Sequence, residues 1–195
     1  MGLRERKKQA TRQALALTAL RLAVERGYDR VLVEDIAAEV GVSPRTFNNY
    51  FGGKAEAICA LAVHRSERIG DALRARPPGE PLWTALREAV LSELGSGGVP
   101  ADVPDRVWIA GLRLVVTTPA MQGEYLRAQA ATQDALAAAI RERLGGAQPD
   151  DLLPEVLGGA VAAACGVAMR RWLWSDPPAD LGDLLRRALS LLERA

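Results

Sequence analysis

Five side chains able to read or grip a nucleic acid crowd into six positions of the stretch "SPRTFNNYFGGK": Arg45, Thr46, Asn48, Asn49 and Tyr50. Arginine can meet guanine O6 and N7 with two hydrogen bonds, asparagine can do the same with adenine N6 and N7, and a threonine methyl can touch a thymine methyl. At 100° per residue, Phe47 and Phe51 share one face of a helix, which makes them its buried side. Arg45 and Asn49 then lie opposite, with Thr46 beside them. Asn48 and Tyr50 fall on the flanks, placed for phosphate or sugar oxygens that position rather than specify. Lys54 stands where the next helix starts, where unpaired N–H groups, the helix dipole and an ammonium can converge on one phosphate. Taken singly, Arg45, Asn48 and Asn49 also fit the solvated face of an amphipathic helix.

These side chains need a frame, and the flanking residues describe one. Ser43 reads as an N-cap and Pro44 as the first helical position. A short helix precedes them at about 33–40, with Ile36, Ala37 and Val40 facing inward, and Gly41 breaks it. Small Ala37 allows close approach, and Gly41 admits the positive φ such a turn often uses. Two short helices joined this way form a helix-turn-helix, whose second helix enters the major groove. Ahead of them, Leu15, Ala19, Leu22 and Ala23 make an apolar stripe on a helix from about residue 4 to Arg26, ended at Gly27. Gly52-Gly53 closes the recognition helix, and a long helix runs from about Lys54 to Ala75 before Pro77-Pro78-Gly79. Further helices are expected near 81–94, 105–117, 120–144, 152–174 and 179–194, with Gly95–Pro104, Gly145–Pro149 and Pro177-Pro178 as connections. The fold class is all-α: a helix-turn-helix domain over 1–53 and a helical bundle over 54–195, about nine helices together.

Composition narrows the function classes. The 195 residues are 49% hydrophobic, enough for a core, and the net charge is +1. The charge is unevenly spread: residues 1–56 hold 10 Lys and Arg against 7 Asp and Glu. Arg4, Arg6, Lys7, Lys8 and Arg12 stand against Glu5 alone, a basic arm able to meet phosphates or the minor groove, or to keep a terminus solvated. Cys59 and Cys165 have no CxxC spacing and read as reduced, buried thiols of a cytoplasmic protein without a signal peptide. The charge-free run Val156–Met169 has fourteen residues, too few for a bilayer. With one histidine and no paired metal-ligand spacing, enzyme chemistry finds no footing and no cofactor is expected.

The segment "GYDRVLVEDIAAEVGVSPRTFNNYFGGKAEAI", residues 27–58, resembles the DNA-binding module of the TetR family of bacterial repressors. The matching positions are Gly27-Tyr28, Asp35-Ile36-Ala37, Gly41-Val42-Ser43, Thr46-Phe47, Tyr50-Phe51 and Lys54. The resemblance implies a homodimeric repressor on a palindromic double-stranded DNA operator, released by a small-molecule effector. A ligand-independent DNA-binding regulator is the alternative. The chain departs from the family at Leu32, which replaces a capping Thr, at Asn48, which replaces an aromatic, and at Gly52-Gly53, which replaces a stiffer linker. Losing the cap costs roughly 1 kcal/mol, against which Glu34 and Asp35 favour that helix end through its dipole.

The larger domain offers softer signals. The last helix carries Leu181, Leu184, Leu185, Ala188, Leu189, Leu191 and Leu192, more than one apolar face, and the one before it is rich in Gly and Ala. Both suit a homodimer formed through 152–174 and 179–194, a pairing the resemblance also implies. Trp83, Trp108, Met121, Tyr125 and Trp172 are candidates for lining an effector pocket, as are Cys59, His64 and Trp174. Arg113, in the apolar run "VWIAGLRLVVTTPAM", needs an acidic partner or an anionic ligand if buried, or lies exposed at a helix edge. "RLVVTTPAM" and the helix after it resemble mycofactocin-type regulators, which implies an acyl-CoA-like effector; a multidrug-type hydrophobic effector is equally compatible.

Overall fold

A computed structural model describes residues 2–95, 105–146, 151–176 and 179–194. Most of the connections expected at 95–104 and 145–149, and the Pro177-Pro178 turn, lie outside the described residues. Among the described residues the secondary structure is nine α-helices and two 3₁₀ turns, with no strand. The helices are α1 (Leu3–Arg26), α2 (Val33–Val40), α3 (Pro44–Asn48), α4 (Lys54–Ala75), α5 (Leu82–Leu94), α6 (Asp105–Thr117), α7 (Gln122–Arg143), α8 (Leu153–Leu173) and α9 (Leu181–Glu193). The 3₁₀ turns are Tyr28–Arg30 and Pro119–Met121.

Packing divides the chain into two units, and the division differs from the sequence boundary at 53/54. The first unit runs through Ala62 and takes in α6 and α7 as far as Arg127. The second holds the chain from Val63 through α5, and from Ala128 onward. The helix α4 is continuous through both. Within the first unit α6 lies close on α1: a Cβ on Gly111 would lie 2.4 Å from Leu20 Cδ1, so a larger residue there would require the Leu20 side chain to shift.

In the first unit, Leu15, Leu22, Val31, Ile36, Ala37, Phe47 and Phe51 are buried together with Trp108 and Met121. The inward stripe read on α1 is the buried one. In the second unit the core combines Leu73 of α4, Leu86 and Val90 of α5, Leu136 and Ile140 of α7, Val161 of α8, and Leu185 and Leu189 of α9. Gly158 holds α8 tightly on α7, since a Cβ there would meet Ala137 N and Gln133 O at 2.9 Å. Part of the small-residue stretch on α8 therefore serves packing within the unit. At 21 residues α8 is long and apolar enough, by length and composition alone, to cross a membrane. The expectation from the fourteen-residue run was shorter because the charge-free count stopped before Arg170; the helix continues through both Arg170 and Arg171 to Leu173. Its contacts with α7 and α9 are those of a bundle helix.

The second unit also carries polar groups inside. Ser66 is 3% exposed and its hydroxyl pairs with that of Thr132 at 2.6 Å. Burial lowers the Arg65 guanidinium to about 10, reinforced by Arg68 and opposed by the Glu93 carboxylate. Arg143 donates to the carbonyls of Arg76 and Glu80 at 3.2 and 2.8 Å, tying down the turn after α4.

Candidate nucleic-acid interface

The helix-turn-helix is assembled from backbone requirements one at a time. Leu32 has no acceptor with which to cap α2. Half of a capping box remains, because Asp35 Oδ2 accepts from the Leu32 N–H at 3.0 Å. At the other end Gly41 adopts φ 74°, Gly41 N–H donates to Ala38 O and Val42 N–H donates to Ala37 O at 2.9 Å. This is a Schellman ending, and its left-handed residue is where glycine avoids a Cβ penalty. Ser43 Oγ then accepts from Thr46 N–H at 3.1 Å, with Pro44 at the first helical position. A donor orphaned at the start of α3 is thereby satisfied.

α3 ends sooner than its sequence suggests. It stops at Asn48 rather than running to Gly52, and Tyr50 N–H tightens onto Phe47 O at 2.8 Å. Phe47 and Phe51 remain on one buried face, with ring centroids 5.6 Å apart. On the other side Ser43, Pro44, Arg45, Asn48 and Asn49 are exposed, while Thr46 and Tyr50 are half-buried. The Thr46 hydroxyl pairs with that of Ser43 at 2.9 Å. Its methyl is then the group left for contact with a base.

The basic residues near the chain start lie on α1, which is helical from Leu3, close to the expected start at about residue 4. That geometry gives the basic residues a fixed helical spacing. It sets Arg4, Lys7, Lys8 and Thr11 of α1 along one wall of an open concavity of about 600 Å³, with Thr46, Asn49 and Tyr50 on the other and Glu5 the lone acid. Arg12 turns elsewhere, its guanidinium stacked over the Phe51 ring at 5.1 Å. Cation–π contact of this kind closes the aromatic pair from above.

Lys54 is engaged differently from the sequence expectation of an ammonium presented to phosphate. Its Nζ donates to Tyr28 O at 2.8 Å and to Val31 O at 2.9 Å, and lies 4.3 Å from the centre of the Tyr28 ring. The Gly52-Gly53 linker is held as well, since Glu56 Oε2 accepts from Gly52 N–H at 2.7 Å. Burial, then Asp29, Cys59 and Glu124, raise the Tyr28 hydroxyl above its ordinary value.

The candidate effector residues fall in both units. Trp108 and Met121 are buried at 2% and 0% exposure in the first, where Tyr125 is half-buried and Arg113 is exposed. Exposure answers the question raised by Arg113's apolar setting. Trp83 and Trp172 are half-buried against the core of the second unit. Cys59 and Cys165 are both buried thiols, each pushed up to about 12 chiefly by burial. The sequence missed Arg65 because its neighbours His64, Glu67 and Arg68 make it look like one more surface charge. It also missed the Lys54–Tyr28 pairing, although both residues stand in the motif.

Comparison with known proteins agrees with this architecture. Residues 17–58 match the family described as bacterial regulatory proteins, tetR family, and residues 80–195 match the MftR C-terminal domain. The HTH-type transcriptional regulator TcmR of Streptomyces glaucescens is 35% identical over 173 residues, 88% of this chain and 76% of that protein. Among solved structures, Thermus thermophilus FadR, a TetR-family repressor in complex with lauroyl-CoA, has a TM-score of 0.56 at 21% identity, covering 93% of each chain. A chain described as a TetR-family regulator from Rhodococcus sp. has a TM-score of 0.58 at 19% identity, covering 94% of this chain and 96% of that one. An N-terminal helix-turn-helix with an all-helical C-terminal region, matched along most of its length by a regulator, places this chain in the TetR family of bacterial DNA-binding transcriptional regulators.

Proposed function

We propose that the protein is a sequence-specific repressor, active in the cytoplasm, that binds a palindromic operator as a homodimer and leaves it when a small hydrophobic or amphipathic effector binds. The observation that carries the DNA-reading part is α3 itself. It is capped at Ser43, seated by Phe47 and Phe51, and exposes Arg45, Asn48 and Asn49 beside the basic first turns of α1. Arg45 and Asn49 serve as base readers; Asn48 stands where it can reach a base edge or the backbone. Arg4, Lys7, Lys8 and Tyr50 supply phosphate contacts, which raise affinity without specifying sequence.

Support for a homodimer comes from α8 and α9, where Val156, Val167 and Leu191, with Trp174 just past the end of α8, remain more than half exposed. Such side chains on adjoining helices are what a two-fold partner would cover. An acyl-CoA-like effector is supported by the match of residues 80–195 to the MftR C-terminal domain. Release then follows from population shift: an effector that binds the DNA-incompetent arrangement more tightly draws the protein toward it.

Random-site selection with the purified chain tests the reading. A palindromic consensus that Arg45→Ala relaxes at one position per half-site is the expected result. Selection that returns no sequence preference overturns it. The alternative of a ligand-independent regulator draws on the complete burial of Met121 and near-complete burial of Trp108, which are packed rather than lining open space. Operator binding that persists through a panel of long-chain acyl-CoAs and hydrophobic drugs favours that alternative.

A further inference from the structure

We propose that Lys54 is a positioning residue for DNA binding, which acts by gripping the Tyr28–Val31 turn ahead of α2 and not by contacting phosphate. The inference rests on the reading of α2 and α3 as the DNA-binding pair.

An ammonium has three donors and no acceptor. Two of those of Lys54 go to the Tyr28 and Val31 carbonyls, and the ammonium covers the Tyr28 ring. Those carbonyls belong to the 3₁₀ turn and the residue after it, outside any α-helix. The Val31 side chain is fully buried, and α2 starts two residues later. Whatever fixes residues 28–31 therefore fixes where α2 begins, and through the Gly41 turn where α3 lies. Swinging Lys54 outward would take its donor from the Val31 carbonyl, leave the Tyr28 carbonyl with the Val31 N–H alone at 3.3 Å, and expose the Tyr28 ring face. A phosphate would have to outbid all three contacts. The Glu56–Gly52 hydrogen bond pins the residues just before Lys54, so the grip is made from a fixed point.

The test compares Lys54→Met, Lys54→Gln and Lys54→Arg on the full chain with a selected operator, over a range of salt. Loss of two charge-assisted hydrogen bonds predicts that Lys54→Met binds roughly tenfold or more weakly, with the dependence of log K on log salt unchanged. Lys54→Gln keeps amide donors without charge and recovers part of the loss; Lys54→Arg recovers most of it. NMR of the wild type gives a readout independent of whether any variant folds. The Lys54 ε-CH2 protons, shifted upfield by the Tyr28 ring, keep that shift in the operator complex. A salt slope shallower by about one in both Lys54→Met and Lys54→Gln, or loss of the ring shift on adding operator, overturns the proposal. Arg45→Ala measured alongside separates the two readings, because a wild type whose preference depends on Arg45 is a DNA reader whatever Lys54 does.

Discussion

The five-residue helix α3 and the paired helices α8 and α9 put opposite demands on their residues. In α3 each residue type has one natural place: Phe47 goes inside, Arg45 and Asn48 go outside, and Ser43 caps. In α9 the same leucine serves three situations. Leu185 and Leu189 are buried at 0% and 2%, Leu184 and Leu192 are half-buried, and Leu191 is 64% exposed. The difference teaches where sequence carries information. A polar or aromatic side chain declares its environment through the cost of desolvation, whereas an aliphatic one is accepted equally by a core, a pocket or a partner.

The contrast can be strained at several points. Phe47→Ala should have the largest effect, about 3–5 kcal/mol of stability by loss of a fully buried ring, with DNA binding abolished; Arg45→Ala on the same helix should leave the melting temperature unchanged. If the two variants melt alike, α3 is not divided as described. On α9, Leu189→Ala should cost about 2–5 kcal/mol in denaturant titration, while Leu191→Glu should leave the protomer's stability within roughly 0.5 kcal/mol and shift sedimentation toward monomer. Equal effects at 189 and 191 would erase the distinction between the two faces. Gly158→Ala should lower the denaturation midpoint by about 1–3 kcal/mol equivalent, because its new Cβ meets α7 backbone at 2.9 Å; Ala163→Gly, at an exposed position of the same helix, should cost no more than about 1 kcal/mol. The smallest effect is expected at Ser43→Ala, about 1 kcal/mol for the lost cap, read by thermal melting and by weakened operator binding at unchanged sequence preference.

The thiols carry a pH consequence with a definite sign. Burial raises Cys59 and Cys165 from 9.0 to about 12. The folded state therefore holds protons that the unfolded state releases. Their stabilisation is fully present below pH 9 and is lost as pH rises from there toward about 12. Both thiols should accordingly resist alkylation at pH 8 until the protein is unfolded.

Much of the helical order was legible because Gly41, Ser43-Pro44, Gly27 and Pro77-Pro78 punctuate it, and α2 and α4 have the ends that those signals mark. Where the reading of α3 differs from the structure, the cause is a local turn. α3 is shorter than expected because Tyr50 and Phe51 turn back onto Phe47 O, whereas α1 starts at Leu3, beside the expected start at about residue 4. Packing groups α6 with the first unit, and Gly111 brings it against Leu20, a pairing across some ninety residues that no local signal announces.

The sequence by itself determined the all-helical class, the helix-turn-helix and the face of α3 that looks outward, because caps, turn glycines and 100° spacing are local rules that neighbouring residues enforce. Only the tertiary structure decided that Lys54 holds two carbonyls, that Arg12 covers Phe51, that Arg65 is half-buried and that Leu191 lies outside. These are outcomes of segments that meet across tens of residues. A charge or a leucine has no local signal for which partner the fold will bring to it.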